Sequence, residues 1–352
     1  MAKLKVAING FGRIGRTFFR MSEGRDDYEV VAINDLGQPE NLAYLLKYDT
    51  MYGHAPFPVE VNGDGLTVNG RKLALSHEKD PSVLPWKSLD IDLVVESTGV
   101  FNSYEKAKAH LTAGAKRVVI TAPVKDDPTK SDIKGATVLI GANEEAFKTC
   151  EITSNASCTT NAASPLVGIL KETIGIDKAI LNTVHAYTAS QSLVDGPSKK
   201  NLRDGRAAAQ NIIPSTTGAA IATTLAYPDL VGKFDGISIR VPVAVGSIVD
   251  ITFIASRETS VEEVNQALTK AAQSDRWKKV FAVTNEPLVS SDIIGARFGA
   301  IADLGMTQVV DGNLVKVLAW YDNEASYVHT LTEHISAVVK NLANPTQDTN
   351  QS

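Results

Sequence analysis

Leu4-Lys5-Val6-Ala7-Ile8 followed at once by Gly10-Phe11-Gly12-Arg13-Ile14-Gly15 is the stretch that decides the fold of the first half of this chain. The apolar run is a compact strand candidate, and the glycines open a helix-like segment from Arg16 to Met21. A second strand candidate, Glu29-Val30-Val31-Ala32-Ile33, ends at Asn34-Asp35, and Asp35 lies twenty residues beyond Gly15. Alone, Gly-x-Gly-x-x-Gly is a weak signal. Between a strand and a helix, with an acidic residue closing the next strand, it reads as the Rossmann arrangement. The backbone from Gly10 to Gly15 (Gly10, Phe11, Gly12, Arg13, Ile14 and Gly15) is then expected to approach a pyrophosphate at the helix N-terminus. Asp35 can accept hydrogen bonds from a ribose 2′-hydroxyl and would repel a 2′-phosphate, so the cofactor expected is NAD rather than NADP.

Working outward, Ile91–Glu96, Arg117–Ile120 and Thr137–Ile140 are further strand candidates. The first two end in Ser97-Thr98-Gly99 and in Thr121-Ala122-Pro123, which are candidate cofactor walls, since ligands lie at the carboxyl ends of parallel strands. Taken singly, each could be plain turn chemistry. Asn62-Gly63-Asp64-Gly65 and Asn69-Gly70 predict a small hairpin before the strand at 91–96.

The second half opens on Ser154-Asn155-Ala156-Ser157-Cys158-Thr159-Thr160-Asn161, followed by an apolar, helix-compatible run from Ala162 to Leu170. A thiol at a helix start meets unpaired backbone N–H groups and the positive end of the dipole, and both favour the thiolate. A buried structural cysteine would want apolar neighbours, whereas here Ser157, Thr159 and Thr160 flank it. Cys158 therefore reads as reactive. Runs at 179–185, 236–241 and 248–254 read as strands, the last alternating as a sheet with one covered face does. Ser260-Val261-Glu262-Glu263 is a capping box, with Val261, Val264 and Leu268 on one helix face. Asp311-Gly312-Asn313 separates two strand-like runs. From Tyr327 on, Val328, Leu331, Ile335, Val338 and Leu342 mark an amphipathic helix, and the tail from Asn344 is expected to fray.

His185 ends an apolar strand and precedes a polar segment, which sets it apart from the other five histidines. On the residues alone its partnership with a cysteine stays open. Arg240 at a strand end and Ser215-Thr216-Thr217-Gly218 at a helix start could bind phosphate, or could be a surface arginine and an N-cap. The mixed-sign cluster Lys199–Arg206 reads as a loop. No metal-ligand spacing is present, so no metal is expected.

A chain of 352 residues suggests two domains, and a net charge of −5 gives no electrostatic reason to expect nucleic acid or an anionic membrane. Two cysteines form no disulfide framework and point to a reducing compartment. With no leader or spanning run apparent, a soluble cytoplasmic protein is expected.

These motifs together resemble the phosphorylating glyceraldehyde-3-phosphate dehydrogenases nearly end to end. The resemblance rests on Asn9–Arg16, the octapeptide around Cys158, Val184-His185-Ala186-Tyr187-Thr188, Asn211-Ile212-Ile213-Pro214, Arg240-Val241-Pro242 and Trp320-Tyr321-Asp322-Asn323-Glu324. It implies that Cys158 attacks an aldehyde, that His185 holds the thiolate as an ion pair and then acts as general base, and that inorganic phosphate cleaves the thioester. Thr188 and Arg240 would hold the phosphate of glyceraldehyde 3-phosphate. Ser157, Thr159, Thr217 and Gly218 would hold the attacking phosphate, and Asn323 the nicotinamide carboxamide. The segment around Gln191–Asn211 would line a neighbouring subunit's cofactor site in a homotetramer.

The fold so implied is α/β. A Rossmann-type parallel-sheet domain (1–157 and 322–352, with the last helix returning to it) accompanies a catalytic α+β domain (158–321) on a mostly antiparallel sheet. The chain departs from common family patterns at Ala162, Ser190, Asp204, Ile221, Val245-Gly246-Ser247 and Ala325-Ser326. An erythrose-4-phosphate dehydrogenase is the alternative, but Ser215–Gly218 keeps the hydroxyl-rich motif that the erythrose-type enzymes alter.

Overall fold

A computed structural model describes residues 3–343 apart from 64, 131, 199 and 200; the expected fraying of 344–352 lies outside the described residues, as do two lysines of the 199–206 cluster. The chain divides into two compact units. The first comprises 1–138, 143–156 and 331 onward, and the second 139–142 and 157–330.

In the first unit, β1 (Leu4–Asn9) feeds α1 (Arg13–Ser22), which leads to β2 (Tyr28–Asn34). After α2 (Pro39–Lys47) and the two-residue strands β3 (Tyr48–Asp49) and β4 (Gly53–His54) comes the hairpin region: β5 (Val59–Asn62), β6 (Gly65–Val68) and β7 (Arg71–Ser76). Then follow β8 (Leu93–Glu96), α3 (Tyr104–Thr112), β9 (Arg117–Ile120), β10 (Gly135–Thr137) and β11 (Ile152–Ser154). The sheet order is β10-β11-β9-β8-β1-β2-β7-β6-β5. Every pair from β10 to β7 is parallel, and β5, β6 and β7 pair antiparallel through the expected glycine turns. Val6, Ala7 and Ile8 of β1 and Leu93, Val94 and Val95 of β8 are wholly buried, as a sheet covered on both faces requires. The chain leaves β1 toward β2 on one side and takes up β8 on the other, so the switch point lies at the carboxyl end of β1. The strand expected at Thr137–Ile140 instead ends at Thr137.

In the second unit α4 (Cys158–Thr173) leads to β12 (Ile176–Ala186), β13 (Ile213–Thr216), α5 (Ala219–Thr224), β14 (Phe234–Val241) and β15 (Ser247–Ala255). Next come α6 (Val261–Ala272), β16 (Phe281–Thr284), β17 (Ala300–Asp303), β18 (Gln308–Val310), β19 (Leu314–Tyr321) and α7 (Ala325–Ala343). The order β13-β14-β12-β15-β19-β17-β16, with β18 on β19, is mostly antiparallel; β12 with β14 and β16 with β17 are parallel. The turn between β18 and β19 carries left-handed Asp311 (φ 48°) and Gly312 (φ 74°), the pairing a tight hairpin needs.

Ser260 caps α6 by accepting from Glu263 N–H at 3.2 Å, but the reciprocal half of the capping box is absent. The Glu263 carboxylate turns to Arg257 (2.6 Å) and Thr259, which hold it down at a pKa of about 2. The helix α7 begins with Asp322 accepting from the Glu324 and Ala325 amides. Its first turn stays with the second unit, Ser326 donating to the Ala296 carbonyl, so the return to the first unit starts at Leu331 rather than at 322. No helix of the described residues is long and apolar enough to cross a membrane.

Candidate active site

In the first unit a cavity of about 470 Å³ opens at the switch point, lined by backbone and side chains of Gly10, Gly12, Asp35, Ser97 and Thr98 among others. Gly10 has φ +94°, and a Cβ there would sit 2.6 Å from the Thr98 nitrogen; one on Gly15 would sit 2.2 Å from the Gly10 carbonyl. These two glycines are required by close backbone approach. Gly12 differs: a Cβ there would meet nothing within 4 Å, so it would project into open space at the start of α1. That open cradle at a helix N-terminus fits a pyrophosphate. Asp35 accepts from the Phe11 amide (2.7 Å) and the Gly37 amide (2.8 Å), which fix its carboxylate beside the cavity. The Phe11 ring is buried against Phe19, and Ile14 lies in the first turn of α1.

The Arg13 guanidinium points elsewhere, paired with Asp49 at 2.6 Å and lying over the Tyr52 ring. Gly99 sits in the turn after β8 at φ +72°, and the Thr121 hydroxyl donates to the Glu96 carbonyl at 3.0 Å. Neither residue is among those lining the cavity. Asn9, Asn34, Leu36, Glu78, Lys79 and Phe101 do line it, and the motif reading did not anticipate them. Their only signal was position at strand ends.

In the second unit Cys158 is the first residue of α4, and Ser157 caps that helix by accepting from the Thr160 amide at 3.1 Å. Ala156, just before, adopts φ +52°, a left-handed conformation that costs a non-glycine residue about 1 kcal/mol. His185 and Arg240 are register partners on the parallel strands β12 and β14, which sets them side by side. His185 Nε2 lies 3.4 Å from the Cys158 sulfur. Its Nδ1 lies between the Ala186 carbonyl at 2.6 Å, which can only accept, and the Arg240 guanidinium, which can only donate, so Nδ1 can hydrogen-bond only one of the two. Arg240 Nη1 donates to the same carbonyl at 3.2 Å and lies 2.5 Å from His185 Nδ1.

Burial, and then the Arg240 charge, push the His185 imidazole down to about 3. Burial pushes the Cys158 thiol up, and Arg240 works against that rise. Arg240 places a fixed positive charge near the sulfur. Arg240 Nε is buried without a hydrogen-bond partner.

The hydroxyls around this pair are already committed in a definite direction. Thr183 donates to the Ile248 carbonyl (3.1 Å), so it accepts from the Tyr321 hydroxyl (2.7 Å). Tyr321 in turn accepts from Thr159 (2.9 Å). The Thr159 hydrogen thus points at the buried Tyr321, which stands in the 320–324 motif but has no role assigned from it. Thr188 shares its hydroxyl with Ser190 (2.9 Å), and its amide donates to Gln191. Asp204 accepts from Gln191 Nε2 at 3.2 Å. The Thr217 hydroxyl accepts from the Ala219 amide at 3.1 Å, and Gly218 caps α5; among the described residues no hydrogen bond joins either to Cys158, His185 or Arg240. Asn323 Oδ1 accepts from the Gly246 amide (3.0 Å) and the Ser247 hydroxyl (3.2 Å), leaving its Nδ2 to donate.

A nucleotide cradle in one unit and a thiol–imidazole–guanidinium cluster in the other are the equipment of a nucleotide-dependent oxidoreductase. Residues 4–104 match the family profile described as "Glyceraldehyde 3-phosphate dehydrogenase, NAD binding domain", and 157–323 match "Glyceraldehyde 3-phosphate dehydrogenase, C-terminal domain". The chain is 46% identical over 332 residues to glyceraldehyde-3-phosphate dehydrogenase of Geobacillus stearothermophilus, covering 94% of this chain and 96% of that one. It is 45% identical to glyceraldehyde-3-phosphate dehydrogenase 2 of Streptomyces avermitilis (94% and 97% covered) and 44% identical to glyceraldehyde-3-phosphate dehydrogenase B of Aspergillus oryzae (96% and 99%). The chain belongs to the glyceraldehyde-3-phosphate dehydrogenase family.

Proposed function

We propose that the protein oxidises glyceraldehyde 3-phosphate with NAD and inorganic phosphate to 1,3-bisphosphoglycerate. The observation that carries this reading is the Cys158 sulfur at the start of α4, 3.4 Å from His185 Nε2. The Cys158 sulfur attacks the aldehyde carbon, and its proton passes by way of His185 to the carbonyl oxygen, giving a hemithioacetal. NAD, when bound, supplies the hydride acceptor. His185 Nε2 takes the hydroxyl proton as the carbon loses its hydride, and the C=O bond reforms as a thioester. A phosphate oxygen then attacks the thioester carbon, the C–S bond breaks, and the departing sulfur takes the proton back from the imidazolium.

Arg240 and Thr188 are assigned to the substrate phosphate. A dianion would supply the acceptor that Arg240 Nε lacks, and would offset the Arg240 charge that adds to burial in holding the His185 imidazole down. Ser157, Thr159, Thr217 and Gly218 are assigned to the attacking phosphate, Thr159 through its backbone amide because its hydroxyl hydrogen is engaged with Tyr321. Asn323 is assigned to the nicotinamide carboxamide through Nδ2.

We assign the protein to a homotetramer in the cytoplasm. Supporting the assembly, Leu193 and Leu202 are 84% and 87% exposed in the 191–211 segment. On the sheet face opposite His185, Ile180, Ile221, Val231 and Leu314 line an apolar hollow of about 700 Å³. Sedimentation of the purified protein at the mass of a monomer or dimer would exclude the tetramer.

The test of the activity is NADH formation from glyceraldehyde 3-phosphate and NAD, with and without inorganic phosphate. Sustained turnover only with phosphate is expected. Turnover without it would mean that water resolves the thioester, and the attacking-phosphate assignments would fall. The same assay with erythrose 4-phosphate should be slower.

A further inference from the structure

Glu96 ends β8 and is 2% exposed. Its carboxylate receives hydrogens from both sides. Oε2 accepts from Asn9 Nδ2 (2.6 Å) and His110 Nε2 (2.9 Å), and Oε1 accepts from the Thr98 amide (2.8 Å) and the Thr98 hydroxyl. The direction of these bonds is not adjustable. Trp86 Nε1 can only donate, and it lies 3.1 Å from His110 Nδ1, so the His110 hydrogen sits on Nε2. Asn9 Oδ1 accepts from Asn34 Nδ2 (2.7 Å), which turns the Asn9 amide hydrogens toward Glu96. Asn34 is itself clamped, its Oδ1 taking the Glu78 amide at 2.8 Å and its Nδ2 donating to the Glu78 carbonyl at 2.9 Å.

Asn9, Asn34, Glu78 and Thr98 line the 470 Å³ cavity, whereas Glu96, His110 and Trp86 stand behind them. The turns after β1 and β8 touch directly: Ser97 Oγ donates to the Gly10 carbonyl at 2.7 Å. With its hydrogen on Glu96 and one lone pair taken by the Val100 amide at 3.1 Å, the Thr98 hydroxyl keeps a single acceptor position for a ligand.

We propose that Glu96 is the positioning residue of the dinucleotide cradle. Without touching the cofactor, its carboxylate ties the β1 and β8 turns together and sets which polar groups Asn9 and Thr98 present to the adenylate half of NAD. The inference rests on the assignment of NAD to this unit and is independent of the aldehyde chemistry. An inactive dehydrogenase that still binds AMP would leave it standing.

Glu96→Gln tests it, since the side chain keeps its shape but brings two N–H hydrogens into a shell made of donors. The full-length protein is titrated calorimetrically with NAD and, separately, with AMP, and Cys158 alkylation by iodoacetamide is followed without nucleotide. Both dissociation constants should rise about tenfold, with the alkylation rate within about twofold of the parent. Nucleotide affinities within twofold of the parent would overturn the proposal. So would a parallel fall in Cys158 reactivity, which would mean general loosening. His110→Asn decides the matter if Glu96→Gln does not fold: it removes one donor from behind the wall and should weaken both ligands about threefold, and unchanged affinities would sink the idea.

Discussion

The nucleotide cradle and the cysteine cluster are built on opposite plans. In the cradle, Glu96 receives four hydrogen bonds and Asp35 receives two backbone amides. Around Cys158, by contrast, Arg240 Nε has no partner, His185 is pushed to about 3, and Ala156 holds a left-handed backbone. A site that only has to bind can be completed in advance. A site that must make and break bonds keeps groups that are satisfied only when the reactants arrive.

The sharpest way to break this contrast is Cys158→Ser, which keeps the helix start and the His185 neighbour but removes the sulfur. NADH formation should vanish while NAD titrates normally, and retained oxidation would end the covalent reading. Next, His185→Asn should lower kcat by about 10²–10⁴. A rate within a few-fold of the parent would show that another group takes the proton.

The glycines test the cradle from inside. Gly15→Ala places a Cβ against the Gly10 carbonyl at 2.2 Å, and should lower stability by about 1–3 kcal/mol along with NAD affinity. Gly12→Ala meets open space, so its unfolding midpoint should match the parent while NAD binds more weakly; parallel losses in both variants would erase the distinction. Asp35→Gly should narrow the preference for NAD over NADP, measured as the ratio of kcat/KM values, and an unchanged ratio would place discrimination elsewhere.

The last expected effect is on pH. His185 and His334 are both held near 3 by burial, well below the unfolded value of about 6.5. Between those values the unfolded chain binds protons that the folded one does not. Their contribution is therefore complete above about 6.5 and is lost as pH falls toward 3. Replacing His334 with Gln should flatten the urea midpoint against pH over that window. An unaltered slope would mean that His334 is charged in the folded state.

Much of this was legible in the sequence because it depends on local pattern. The β1 strand, the glycine turn and Asp35 follow from period, φ requirements and spacing, and Cys158 from its hydroxyl-rich flank. His185 beside Cys158 was not, since it depends on the pairing of β12 with β14, which no local signal encodes. The same holds for the direction in which Tyr321 turns Thr159, and for the joining of Glu96, His110 and Trp86 from three separate segments. The strand expected through Ile140 failed because apolar residues at 138–140 are buried without continuing the ladder. The protonation states of Cys158 and His185 depend on burial and on Arg240, neither of which is written near them in the chain.

The path of the chain also orders its own biogenesis. The second unit is nearly continuous, 157–330, whereas the first is finished only by residues from 331 onward, where His334 meets Thr153 (2.7 Å) and Arg25 reaches Ser336 (2.7 Å). On the ribosome the N-terminal sheet emerges first yet waits for the last helix, while the cysteine-bearing unit has nearly all its residues before then. The segment made earliest is thus completed by one made much later, and synthesis of the residues from 331 on, rather than of the glycine turn, supplies the last part of the unit that carries the nucleotide cradle.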